Sequence, residues 1–206
     1  MNAAVHHLEI RGDSHALRAA SGEIILLSGG NGCGKTLWLH RLANLEPLPA
    51  NIHADIDQAA LSKQSVRMLN EQWPAIWLGQ SIDEEMRFGL NPQPDQQQVN
   101  AALKRWGLPD LAAETQATTL NRLQAIRVSL AAISMAAPTL VLLDNPTDAL
   151  PQHDAATLIA DISDWTLDSK TIVVVACNRW HDWLSAASQH WQIDSPDRLP
   201  QDRGHA

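Results

Sequence analysis

An α/β fold, with a mainly parallel sheet, helices on both faces and a small inserted helical subdomain, is predicted by three observations. Two runs, Thr139-Leu140-Val141-Leu142-Leu143-Asp144 and Thr171-Ile172-Val173-Val174-Val175-Ala176, are continuously apolar rather than alternating, as parallel strands covered on both faces are. Helical spacing from Thr157 to Trp165 lies between them, the strand–helix–strand order of such sheets. The third is Gly29-Gly30-Asn31-Gly32-Cys33-Gly34-Lys35-Thr36, which comes after the apolar run Glu23–Leu27 and opens the periodic stretch Leu37–Leu42. This is the G-x-x-x-x-G-K-[ST] phosphate loop in the strand–loop–helix setting it requires. The predicted sheet is therefore of the phosphate-loop NTPase kind.

Taken in order, Val5 to Ile10 reads as a short strand with poor alternation, and Ser21-Gly22 as a turn into the strand Glu23–Leu27. The first helix spans Gly34 to about Asn44, ended by Pro47 and Pro49, since proline cannot continue it. Residues 51 to 69 are ambiguous. After Pro74, the run Ala75-Ile76-Trp77-Leu78 closed by Gly79-Gln80 reads as a strand ending at Gln80. Asn91-Pro92-Gln93-Pro94-Asp95 is a breaker cluster. Val99 to Trp106 has helical spacing ended by Gly107, and Leu120 to Ala136 is an Ala- and Leu-rich helix stopped by Ala137-Pro138. The whole chain, 1–206, reads as one domain, with the inserted helical part at about 81–136 and no repeats.

At 206 residues the chain can bury a real core. Its net charge of −8 argues against a nucleic-acid partner held by phosphate neutralisation. No apolar run approaches the ~20 residues of a bilayer-crossing helix, and the start, Met1 to His7, lacks the regions of a secretory signal. Cys33 and Cys177 make neither a disulfide framework nor a zinc site. These features predict a cytosolic protein. Aromatic usage is skewed to eight Trp, one Phe and no Tyr. Most of these Trp are expected in packing, with an exposed few as interface anchors.

The loop states its chemistry. Glycines let successive backbone N–H groups point at phosphate oxygens, and the adjoining helix adds the positive end of its dipole. Lys35 would reach the β/γ-phosphates, and the Thr36 hydroxyl would ligate Mg²⁺. The chain binds a nucleoside triphosphate or descends from one that did.

Beyond the loop, the remaining features come in a definite order. The segment ending in Gln80 leads through about forty breaker-rich, helical residues to a helix holding Gln124, Arg127, Val128 and Leu130. Ala137-Pro138 then opens the strand ending Leu142-Leu143-Asp144, with Pro146-Thr147 after it, and a last apolar strand reaches Cys177-Asn178. Over roughly residues 17 to 195 this resembles the nucleotide-binding subunit of ATP-binding cassette (ABC) transporters. An Asn-Lys-x-Asp guanine-reading motif is absent, and nothing resembles a kinase lid. The resemblance implies ATP and Mg²⁺ as ligands. It implies phosphate binding by Gly29, Gly30, Asn31, Gly32, Cys33, Gly34, Lys35 and Thr36, and a magnesium shell of Thr36, Gln80 and Asp144. It also implies a transmembrane transporter subunit and a second nucleotide-binding subunit as partners, at the inner, cytoplasmic face of the membrane.

Departures from the family pattern concentrate on hydrolysis. The glutamate expected after the magnesium aspartate is Asn145, which can orient water but cannot accept its proton. The switch histidine aligns with Cys177 or Asn178, depending on register; His181-Asp182 is a third placement that lengthens the strand. The Leu-Ser-Gly-Gly-Gln signature is Leu120-Asn121-Arg122-Leu123-Gln124, with side chains at Arg122 and Leu123 where backbone should approach the partner's γ-phosphate. The next loop, usually Ser-Ala-Leu-Asp, is Asp148-Ala149-Leu150-Pro151. Little room remains before Gly22 for the strand carrying the adenine-stacking aromatic; His15 is the available substitute. No catalytic group is intact. The expectation is a subunit that binds Mg·ATP, distinguishes ATP from GTP weakly, hydrolyses poorly or not at all, and pairs with a different, intact chain. Two alternatives remain: an active transport ATPase, of which the compact haem-exporter subunits are one kind, and a nucleotide-free scaffold.

Overall fold

The computed structural model describes residues 5–62, 64–70 and 75–204. The chain divides into two compact units, Met1–Asn70 with Pro138–Ala206, and Glu71–Ala137.

In the first unit, β3 (Ile24–Ser28), β7 (Leu140–Asp144) and β8 (Ile172–Ala176) are buried at every position. Neighbours cover both faces, so their unbroken apolar runs are what the position demands. Helices α1 (Lys35–Leu42) and α5 (Gln152–Ser169) belong to this unit, and α1 packs against β7 and β8. The six-stranded sheet runs β10 (Gln201–Asp202), β9 (Gln189–Gln192), β3, β8, β7, β6 (Val66–Leu69), parallel except for β10. Leu27 is level with Ala176, and Ala176 with Asp144. The carboxyl ends of β3, β8 and β7 therefore form one edge, where ligands bind in open parallel sheets.

Three expectations are corrected in this unit. Two strands fit before Gly22: β1 (His7–Arg11) and β2 (Ala16–Ala20) form a hairpin, extended by β4 (His53–Ile56) and β5 (Ala59–Ala60) into an antiparallel sheet ordered β2-β1-β4-β5. Leu8 faces Ala19 and Ile10 faces Leu17, and these four side chains join the core. The strand flanking β7 is Val66–Leu69, inside the stretch that reads ambiguously in the sequence. Helix α5 also exceeds the predicted Thr157–Trp165: Pro151, at its N-cap, has no N–H to leave unpaired there, and Lys170 ends it in the left-handed conformation.

The second unit contains α2 (Ile82–Arg87), α3 (Gln96–Arg105) and α4 (Arg122–Met135), with α4 packed on both others. Capping boxes start α3 (Asp95 with Gln98) and α4 (Asn121 with Gln124), satisfying N–H groups that the helix cannot pair internally. Trp106 is buried; its indole N–H donates to Ser134 Oγ at 3.2 Å, and its carbonyl accepts from Arg127 at 2.6 Å. The expected strand ending at Gln80 is replaced by irregular chain: the N–H groups of Leu78 and Gly79 bond the Glu85 carboxylate, and that of Gln80 bonds Glu84. Both carboxylates belong to α2, whose N-cap is Ser81, so the segment is held by a helix instead of by a sheet.

Trp38, Trp106, Trp165, Trp183 and Trp191 are buried, in line with the packing role read from composition, while Trp77 and Trp180 are half-buried. Trp73 lies outside the described residues. Among the described residues no helix is long and apolar enough to cross a membrane.

Candidate functional site

The phosphate loop leaves β3 at the sheet's carboxyl edge and turns directly into α1. Its first and last glycines are required by their surroundings. A Cβ on Gly29 (φ 152°) would lie 2.6 Å from the Ile193 carbonyl oxygen, and one on Gly34 (φ 100°) 2.7 Å from Cβ of Pro196. Gly30 and Gly32 border open space. Helix α1 begins with neither a side-chain cap nor an acidic residue in its first turn. Its positive end is thus left to an external anion.

Lys35 is buried, and its ammonium donates to the carbonyls of Gly29 (3.1 Å) and Gly30 (3.4 Å), folded back over the loop. Thr36 Oγ1 donates to Asp144 Oδ1 at 3.2 Å across 108 residues of sequence. A hydroxyl and a carboxylate at this separation are hard oxygen donors of the kind Mg²⁺ takes, with most of its other positions left for phosphate and water. Among the described residues no group of three or more His, Cys, Asp or Glu could hold a metal. The loop residues, Thr36 and Asp144 fit a nucleoside triphosphate with a divalent cation.

Beyond Asp144 the structure joins residues whose pairing the sequence left open. Asn145 is buried in the left-handed conformation (φ 49°), which asparagine tolerates better than most residues. Its N–H donates to the Ala176 carbonyl at 2.7 Å, and its Nδ2 to Asp144 Oδ1 at 3.4 Å. Asn145 Oδ1 accepts from the backbone N–H of Asn178 (3.2 Å) and from Asn178 Nδ2 (3.4 Å). An amide oxygen has two lone pairs, and Asn178 engages both.

Of the three placements, it is Asn178 that reaches Asn145. Cys177 is fully buried in the core; that burial foremost, then Asp148 and Asp182, pushes its thiol up to about 12. His181 is exposed in the 3₁₀ turn Trp180–Trp183, its ring stacked on Trp180 with centroids 3.6 Å apart. Asp148 accepts from the N–H groups of Asn178 (2.9 Å) and Arg179 (3.3 Å), and Arg179 donates to the Leu150 carbonyl (2.9 Å) and pairs with Asp182 (2.7 Å). No sequence pattern flagged this lacing, because Asp148 and Asn178 meet only through the β7–β8 register. Iodoacetamide at pH 8 is expected to label half-buried Cys33 and spare Cys177 until denaturant is added, since the thiolate is the reactive form; peptide mass mapping reads the difference.

Gln80 and the signature-position residues lie in the second unit. Gln80 is exposed, and its carbonyl accepts from Ala117 at 3.2 Å. Leu120 is buried, and Asn121 and Gln124 form the α4 capping box, so three of the five signature-position residues have a structural duty. Asn121→Ala is expected to cost about 1 kcal/mol of stability, the usual loss for an N-cap, read as a lower denaturant midpoint. The β1–β2 turn offers His15, which is exposed; Nε2 donates to the Pro200 carbonyl at 3.0 Å and Nδ1 bonds Ser14 at 2.9 Å.

Comparison with known proteins agrees with this geometry. The family model described as ABC transporter matches residues 13–148. The aliphatic sulfonates import ATP-binding protein SsuB 2 of Paracoccus denitrificans is 28% identical over 166 residues, 79% of this chain and 63% of that one. The chain thus spans less than two thirds of that relative's length. The zinc import ATP-binding protein ZnuC of Ruegeria pomeroyi is 30% identical over 203 residues, 90% of this chain and 72% of that one. In fold, the chain is similar to cbiO1 from Clostridium perfringens, part of the ABC transporter complex cbiONQ, at TM-score 0.81 and 17% identity, covering 96% of this chain and 88% of that one. A family model covering most of the chain, a relative at 30% identity and a shared fold lead to one conclusion: the chain belongs to the ABC transporter family.

Proposed function

We propose that the chain is the nucleotide-binding subunit of a membrane transporter, that it holds Mg·ATP on the Gly29–Thr36 loop, and that it hydrolyses the nucleotide slowly or not at all. The observation that carries the reading is the hydrogen-bonded row Thr36–Asp144–Asn145–Asn178, in which binding groups and neutral amides share one edge. Lys35 supplies positive charge to the phosphates once its ammonium leaves the loop carbonyls. Thr36 and Asp144 supply two oxygens to the cation, and Gln80 is the third candidate. When bound, the cation would neutralise charge on the transferring phosphoryl group. Asn145 stands at the base position with an amide of no useful basicity, its oxygen engaged by Asn178. Asn178 stands at the switch position and brings no imidazole. Binding survives such a set better than proton transfer does.

The second unit supports the proposed partners. Ile76, Leu78 and Phe88 are 67%, 64% and 59% exposed, and a groove of about 640 Å³ runs along Trp77, Gln80, Glu84, Glu114 and Gln116. We assign these exposed apolar side chains and the groove to contact with a transmembrane subunit at the inner face of the membrane. Arg122 and Leu123 at the start of α4 favour pairing with a different nucleotide-binding subunit whose signature is intact. Isothermal calorimetry on the purified chain tests the central claim. Mg·ATP and Mg·GTP are expected to bind with affinities within about tenfold of each other, because His15 is the ring at the β1–β2 turn and is tied to Pro200 and Ser14. No heat with either at high micromolar concentration overturns the reading in favour of a scaffold.

A further inference from the structure

We propose that Arg41 is a positioning residue that clamps a C-terminal strap, residues 193–200, against the phosphate loop and so keeps the loop in its binding geometry. The inference rests on the nucleotide-binding reading above. The strap continues from β9, the neighbour of β3, and Ile193 N–H donates to the Ser28 carbonyl at 2.8 Å. From there it touches both glycines that bound the loop: the Ile193 carbonyl lies against Gly29, and the Pro196 ring against Gly34. Farther on, Leu199 packs beside Gly12, and the Pro200 carbonyl accepts from His15. The strap thus runs from the phosphate loop to the β1–β2 turn.

Arg41 holds it there. Its side chain is only 9% exposed, on the same helix as Lys35. The guanidinium donates to the Pro196 carbonyl, to Asp197 Oδ1 at 3.1 Å and to the Pro47 carbonyl at 3.1 Å, and lies 5.8 Å from the Trp38 ring centroid. A planar fork of donors can serve three acceptors at once, which an ammonium cannot do with the same geometry. The loop needs such support, because its glycines carry the largest conformational freedom of any residue. Amides fixed in advance toward an anion bind it without first losing that freedom. Arg41 also offsets the Asp197 carboxylate, which would otherwise sit uncompensated near an anion site.

Hydrogen exchange across residues 29–36 of the nucleotide-free full chain, and Mg·ATP titration, test the clamp in four variants. Arg41→Gln and Pro196→Gly are each expected to speed loop exchange and to weaken Mg·ATP about tenfold, while Asp197→Asn stays within about twofold of wild type. The double variant Arg41→Gln with Asp197→Asn is expected to behave like Arg41→Gln. Wild-type loop exchange in Arg41→Gln and Pro196→Gly overturns the proposal. Recovery of affinity in the double variant also overturns it, since charge rather than position would then be the cause. Should Arg41→Gln fail to fold, Pro196→Gly, on a half-buried strap residue, carries the same readout. A wild-type chain that binds no Mg·ATP sinks the nucleotide reading alone, and loop exchange still decides the clamp.

Discussion

Lys35→Ala is expected to weaken Mg·ATP binding by about ten- to a hundredfold while leaving the fold intact. The ammonium is buried beside the loop, and it donates to two carbonyls of that loop, Gly29 and Gly30. Removing it takes one donor from each carbonyl; Gly30 is exposed and Gly29 half-buried, so water can stand in for the ammonium. Against a triphosphate the loss is larger. Hydrogen bonds to charged groups contribute roughly 1.5–3 kcal/mol each, and ~1.4 kcal/mol is tenfold in affinity. Calorimetry gives the affinity, and a denaturation curve gives the stability. Equal affinity in wild type and variant would mean that the nucleotide is held elsewhere, and that Lys35 is a structural group satisfying two carbonyls.

Legibility of this chain tracked how local each signal is. Strands β3, β7 and β8 could be read because burial on both faces writes itself as an unbroken apolar run. The phosphate loop could be read because consecutive residues supply its whole geometry. The hairpin before Gly22 was hard to see: its inward face is only Leu8, Ile10, Leu17 and Ala19, two per strand. Val66–Leu69 carries no strand signal and Ala75–Leu78 carries a misleading one, for one reason. The more apolar segment is the more exposed one, with Ile76 and Leu78 facing solvent, so hydrophobicity pointed away from the sheet. The partnership of Asn145 with Asn178 spans 33 residues and depends on β7 and β8 aligning Asp144 with Ala176. Sequence could offer Cys177 or Asn178, and only the register separates the one facing the core from the one facing the edge. Arg41 and Pro196 stand 155 residues apart and carry no motif at all.

The same register shapes the largest expected chemical effect. Basal phosphate release by the isolated chain is expected to be very low, and Asn145→Glu alone is expected to leave it within about twofold, whereas Asn145→Glu with Asn178→His raises it at least tenfold over either single change. A glutamate at position 145 supplies the missing proton acceptor, but three things oppose it. It enters a left-handed backbone position (φ 49°) that costs a residue with a long side chain roughly 1–2 kcal/mol. Its carboxylate faces Asp144, toward which the present amide donates a hydrogen bond, so attraction becomes like-charge repulsion. It also meets Asn178, which can donate a hydrogen bond but brings no positive charge to the transferring phosphoryl group. A histidine at position 178 addresses the last two, because the amides it and the glutamate replace already lie 3.4 Å apart, within reach of a carboxylate–imidazole pair. Groups acting as one unit show strongly non-additive rates, so the double variant should exceed the product of the singles. Arg122 and Leu123 at the start of α4 would still keep turnover below the ~1 s⁻¹ of a competent phosphoryl-transfer enzyme. Phosphate release from wild type, both singles, the double and Lys35→Ala decides the matter. Wild-type turnover near that rate, abolished by Lys35→Ala, would refute the impaired-hydrolysis reading and assign Asn145 or a neighbouring group the work of the base.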